Sequence, residues 1–240
     1  MAAIPPVDAD SAAGRRPSAA YPLALLIVYA AWWLALAIAP RDREAWLLEN
    51  ALVFATLPLL IRGYRGLRYS NLAYTAMFLF FCVHAVGAHY TYSEVPYDVW
   101  LERWAGFDLQ TVFGFERNHF DRGVHFLYGM LLMPAIAELL QARGRLQGMW
   151  RQLLPLMFLM ANSELYELIE WQAAAWFGGS LGQAFLGTQG DVWDAQKDST
   201  SALLGGLLGL PAYRLLSRVR PRWGPNRASL ASPTIHDRSS

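Results

Sequence analysis

Glu164–Gly209 reads ELYELIEWQAAAWFGGSLGQAFLGTQGDVWDAQKDSTSALLGGLLG. An apolar helix carries Glu164, Glu167 and Glu170. A Gly-rich loop follows, and a second helix opens with Asp191, Asp194 and Asp198 before turning small and apolar. Six carboxylates beside sequence apolar enough for a bilayer are costly unless something balances their charge, and intramembrane ionisable groups mark functional sites by default. This stretch therefore predicts a membrane-embedded helical fold and also the place where its chemistry lies.

The remainder of the 240 residues fits that reading. Hydrophobic residues make up 55% and charged residues 16%, against roughly 25% charged in soluble domains. The mean hydropathy of +0.20 is only mildly positive because loops and tails are polar. With a net charge of +1 and no basic domain or groove-reading motif, no nucleic-acid partner is expected. Cys82 is the single cysteine, which leaves no disulfide framework and no cysteine zinc site.

Six runs approach the roughly 20 residues that span a bilayer: Tyr21–Ala39, Ala45–Ile61, Asn71–His89, Gly123–Leu140, Leu153–Phe177 and Ser199–Leu216. The first is too long for the h-region of a signal peptide, so it reads as an uncleaved span. The second is the weakest, because it contains Glu49 and Asn50. The predicted class is thus an all-α polytopic bundle of about six transmembrane helices. Residues 1–20 are expected to be a disordered tail, 21–218 the membrane domain with a long loop at 90–120, and 219–240 a basic tail.

Arginines set the orientation. Arg62, Arg65 and Arg68 lie after the second run, Arg143, Arg145 and Arg151 after the fourth, and Arg214, Arg218, Arg220, Arg222 and Arg227 at the end. These segments and both termini, the first marked by Arg15 and Arg16, are assigned to the cytoplasm. Arg41 and Arg43 in the first outer loop run against the rule, offset by Asp42 and Glu44. Tyr90, Tyr92, Tyr97, Trp100 and Trp104 are expected to form an amphipathic segment on the outer surface.

That topology carries His84, His89, Asp121, His125, Glu49, Glu167, Glu170, Asp194 and Asp198 to the outer side, with Glu138 the exception at the opposite end. Asp194, Asp198, Ala202, Gly205 and Gly209 share one helical face, and the small pair lets another backbone approach closely. Asp121 and His125 stand i, i+4, the spacing at which two side chains share a metal or a hydrogen bond. His119 adds a donor just outside.

Two resemblances attach to these residues. Tyr166-Glu167-Leu168-Ile169-Glu170-Trp171, Gly187–Asp198 (GTQGDVWDAQKD) and Asn118-His119-Phe120-Asp121-Arg122 resemble the bacterial inner-membrane family typified by YjdF, from the second span onward. That family is of unknown function, so the likeness implies location and class without an activity. More distantly, Asp121, Arg122, His125 and Phe126, with Asp198, Gly205 and Gly209, resemble VanZ-like membrane proteins. Ala202 stands where their pattern has Asn, Tyr128 comes one place early, and the Arg before the last helix is missing. This second likeness implies architecture and an outward polar centre only.

Each candidate has a plainer reading. Asp191 and Asp194 suit helix capping, and Asp121 has the same explanation. Asp198 lies a turn too deep for it. Glu167 and Glu170 sit at a helix C-terminal end, where the dipole disfavours anions, so their plain reading is an ion pair with Arg117, Arg122 or Lys197. His84 and His89 read equally as interfacial hydrogen-bonders. Three functions stay open. One is an enzyme with Glu167, Glu170, His125 and Asp121 as catalytic groups and His125, Asp194, Asp198, His84 and His89 as ligands of a divalent zinc, manganese or magnesium ion, acting on a lipid-linked envelope substrate. Another is an ion- or proton-coupled transporter. The third is a structural membrane protein whose acids are merely paired to arginines.

Overall fold

The computed structural model describes residues 19–219. The expected tails, with Arg15 and Arg16 at one end and Arg220, Arg222 and Arg227 at the other, lie outside the described residues. Those described fold as α1 (Ala20–Leu36), α2 (Arg43–Gly63), α3 (Asn71–Tyr90), α4 (Tyr97–Ala105), α5 (Leu109–Phe113), α6 (Phe120–Gly144), α7 (Trp150–Phe177), α8 (Gly179–Leu186) and α9 (Asp194–Val219), with no strand among them. Helices α2, α3 and α6 are long and apolar enough to cross a membrane, and α1 is a shorter apolar helix. The other two long helices, α7 and α9, carry Glu164, Glu167, Glu170, Asp194 and Asp198, while Glu49 lies on α2 and Asp121 and Glu138 on α6.

Local chemistry starts the helices. Asp42 Oδ1 accepts from the backbone N–H groups of Glu44 (2.8 Å) and Ala45 (2.9 Å) at the start of α2, and Ser70 Oγ accepts from Ala73 N at the start of α3; both are strong N-cap types. Asn50, which weakens the second run, is fully buried and hydrogen-bonded through both its oxygen and its nitrogen. Its Oδ1 accepts from Trp33 Nε1 at 2.6 Å and its Nδ2 donates to the Trp46 carbonyl at 2.7 Å. Arg41 and Arg43, the two arginines that run against the charge rule, are held locally. Arg41 pairs with Glu94, while Arg43 donates to the Ala37 carbonyl and lies over the Trp46 ring.

The most intimate packing is between α6 and α9, and glycine permits it. A methyl group added at Gly129 would collide with the Ala202 carbonyl oxygen, and one at Gly205 with the Phe126 carbonyl oxygen. At Gly209 it would lie 2.6 Å from the Met130 carbonyl oxygen. Such backbone-to-backbone contact is how small residues join helices where hydrophobic burial gives no drive. The contacts advance together along both chains, so α6 and α9 run parallel and begin at the same end of the bundle. Beyond this seam lies a core of Met133, Ile136, Leu159, Ala202 and Leu210.

Two expectations are corrected. The Gly-rich loop after α7 contains a helix, α8. Gly178, Gly179 and Gly187 adopt positive φ at its ends, whereas Gly182 lies inside it and backs onto α7, where a methyl would meet the Ala174 carbonyl at 2.6 Å. Tyr92 does not join an outer amphipathic segment. Thr91 (φ 58°) and Tyr92 (φ 40°) are both left-handed, and the turn folds the Tyr92 ring inward against Gly87. Trp104, on α4, stays 83% exposed, as an interfacial residue should.

Candidate functional site

The α6–α9 seam fixes the site. His125 lies one turn before Gly129, and Asp198 one turn before Ala202, so the backbone contact of Gly129 with Ala202 brings His125 and Asp198 level. Asp121 is one further turn up α6. One ligand atom each from Asp121, His125 and Asp198 lie within 4.8 Å of one another. Helix α7 supplies Glu167, whose Oε1 is 3.5 Å from His125 Nε2; Asp121 Oδ1 is 3.7 Å from the same nitrogen. His125, Glu167 and Asp198 are buried, and the Asp121 side chain is only 12% exposed.

Behind this group stands a second tier. Glu170 is buried on α7 and Glu49 on α2, with Tyr166 between them; the Tyr166 hydroxyl donates to Glu49 Oε2 at 3.4 Å. His84 is buried on α3, and its Nδ1 bonds the Tyr92 hydroxyl. Glu164, the third acid of α7, is exposed and accepts from Ser199 Oγ at 3.5 Å. The i, i+3 step from Glu167 to Glu170 keeps those two on the inner face while Glu164 drifts off it.

The nearby cations are engaged elsewhere. Arg117 Nη1 donates to Asp194 Oδ1 at 2.6 Å, and Arg122 Nη2 to Asp191 Oδ2 at 2.5 Å. Lys197 Nζ reaches the same Asp191 oxygen at 2.6 Å. The Lys197 ammonium first, then the Trp193 backbone N–H and the Arg122 guanidinium, hold the Asp191 carboxyl well below the usual carboxylate range. The Gln189 side-chain amide pairs with the Asn118 backbone, accepting from its N–H and donating to its carbonyl at 3.0 Å each, and Arg117 also donates to the Thr188 carbonyl. The Asn118–Arg122 and Gly187–Asp198 segments therefore clasp one another beside Asp121 and Asp198.

Asp194 thus serves this clasp and lies outside the close group of Asp121, His125 and Asp198. The ion pair suggested for Glu167 and Glu170 with Arg117, Arg122 or Lys197 is absent among the described residues, because Asp191 and Asp194 hold those cations. Glu167 Oε1 and Asp198 Oδ1 are buried without a hydrogen-bond donor among the described residues. His89 lies apart, its Nδ1 on the Leu36 carbonyl at 2.7 Å. Glu138, at the far end, accepts from Ser70 N and from the Tyr213 hydroxyl.

Two contributors escape a sequence reading. Tyr166 carries a signal, since it stands i, i+4 from Glu170 on the same face. Tyr92 carries none, because its place depends on a left-handed turn that no local motif announces.

Long apolar helices crossing a bilayer, with a buried carboxylate and imidazole cluster at one end, define a polytopic membrane protein. The chain belongs to the family described as Predicted membrane protein (DUF2238), which matches residues 21–218. It is similar to the inner membrane protein YjdF of Escherichia coli (strain K12), with 34% identity over 193 residues, 79% of this chain and 84% of that protein. No solved structure matches it. This is a multi-pass inner-membrane protein.

Proposed function

We propose that the chain is a metal-dependent membrane enzyme whose centre is Asp121, His125 and Asp198, with Glu167 as a fourth donor, facing the periplasm and acting on a lipid-linked envelope substrate. One observation carries this reading: donors from three helices converge while two of their buried oxygens, Glu167 Oε1 and Asp198 Oδ1, have no hydrogen-bond donor among the described residues. Buried carboxylates persist only when paired, protonated or bound to a cation. One imidazole with several carboxylates is a donor set for zinc or manganese. A bound divalent ion supplies Lewis acidity and a more acidic water. Asp121 orients the His125 ring, and Glu170, buried behind the donors, is the proton acceptor.

A pocket open at one end is favoured over a transport path through the membrane. The layer beyond the site is Met133, Ile136, Leu159 and Leu210, and the only acid on α6 at the far end, Glu138, is committed to Ser70 and Tyr213.

The test is metal content together with stability. Protein purified in detergent without chelator is expected to hold about one divalent ion per chain, lost in His125→Ala and Asp198→Asn. With a cation bound, Asp198→Asn lowers the melting temperature. Without one, removing a carboxylate from a crowded acidic site raises it. Metal-free wild type together with a stabilised Asp198→Asn variant overturns the proposal.

A further inference from the structure

A second site lies at the opposite end of the bundle from Asp121, His125 and Asp198, where Glu138 is held by the Ser70 N–H and the Tyr213 hydroxyl. Helices α1 and α2 meet near one end, where the Trp33 and Trp46 rings pack at a tilt with centroids 5.3 Å apart and Trp33 bonds Asn50. Towards the start of α1 and the end of α2 they part, leaving a cleft of about 270 Å³ floored by α3. Pro22 and Leu26 of α1, Leu57 and Leu60 of α2, and Phe78 and Phe81 of α3 line it with carbon. At its mouth stand Tyr64 and Tyr74, and Arg68 lies over the Tyr64 ring at 5.0 Å.

Inside a bilayer such a recess does not stay empty, because its walls would forfeit dispersion contacts that a hydrocarbon chain restores. The volume falls just below the roughly 300–1,000 Å³ of sites for drug-sized ligands, so it accommodates a tail and leaves the headgroup outside. The mouth decides which lipid. Arg62 and Arg65 flank the cleft residues Ile61 and Tyr64, are exposed, and hold no acid among the described residues. Clustered arginines at a helix end recognise anionic headgroups. We infer that the α1–α2–α3 cleft binds one acyl chain of an anionic phospholipid whose phosphate is held by Arg62 and Arg65. The inference is independent of any metal at the other end.

Native mass spectrometry of delipidated full-length protein tests it, with palmitoyl-oleoyl phosphatidylglycerol and phosphatidylcholine added separately. Wild type is expected to retain one phosphatidylglycerol with a preference on the order of tenfold over phosphatidylcholine. Arg62→Ala/Arg65→Ala, at exposed positions, should abolish the preference while the chain still unfolds at the wild-type temperature. Leu26→Trp, or Leu60→Trp should the first fail to fold, should displace both lipids by filling the cleft. Equal retention of the two lipids by wild type, a preference that survives loss of both arginines, or undiminished binding in a folded tryptophan variant overturns the proposal.

Discussion

Gly205→Ala is the sharpest probe of how the site is held together. The new methyl points at the Phe126 carbonyl oxygen, with the Phe126 carbonyl carbon at 2.9 Å and Met130 N at 3.0 Å. All three are backbone atoms of α6, so no rotamer change can make room and the helices must separate. Overpacking of this kind costs about 1–3 kcal/mol, against at most about 1 kcal/mol that Ala gains over Gly in a helix interior. The net expectation is destabilisation of roughly 1–2 kcal/mol, a factor of about 5–30 in the folded ratio. Gly123→Ala on α6 is the control. A methyl there meets nothing within 4 Å, so that variant should be neutral or slightly more stable. Equilibrium unfolding of both in mixed detergent micelles gives the comparison. Because the same seam aligns His125 with Asp198, Gly205→Ala should also weaken the divalent-ion binding proposed above, which Gly123→Ala should not. If the two variants unfold alike, the close α6–α9 contact is not what sets the geometry of the site.

Other outcomes follow from the clasp between the Asn118–Arg122 and Gly187–Asp198 segments. Arg117→Ala removes the closest cation of Asp194 but leaves the Arg122 guanidinium at 3.2 Å, so it should destabilise by less than the about 3–5 kcal/mol of a fully broken buried pair; thermal unfolding should show much of the loss restored in Arg117→Ala/Asp194→Ala. Asp191 has a depressed carboxyl pKa in the folded protein. Its contribution to stability is therefore complete above its unfolded value of about 3.9 and is lost as pH falls through the lower folded value. Melting temperatures of wild type and Asp191→Asn should differ by a constant amount from pH 8 to 5 and converge only below about pH 4. Convergence already at pH 6 would contradict the assignment.

Much of this was legible in the chain before any coordinates. Uncharged apolar runs such as Asn71–His89 can satisfy their backbone in a bilayer only as helices, so length and hydropathy sufficed there. The i, i+4 pair of Asp121 and His125 and the small-residue face of α9 were likewise local facts. The choice of partner among like charges was not. Arg117, Arg122 and Lys197 had acids on both α7 and α9 within plausible reach, and the clasp settled the matter through the Gln189 side chain on the Asn118 backbone, a pairing with no local signature. Tyr92 and α8 were obscured for related reasons. One depends on two consecutive left-handed residues, the other on a glycine kept for contact with Ala174 rather than for turning.

The order of assembly follows from where the donors lie in the chain. Glu49 enters with α2 and Asp198 with α9, some 150 residues later, roughly 7–30 s of synthesis at about 5–20 residues per second. Through that interval the acids of α2, α6 and α7 wait in or beside the lipid without α9. The nascent chain must keep them hydrated or shielded until the ribosome delivers the final segment, and a protein truncated before Asp194 would strand them permanently.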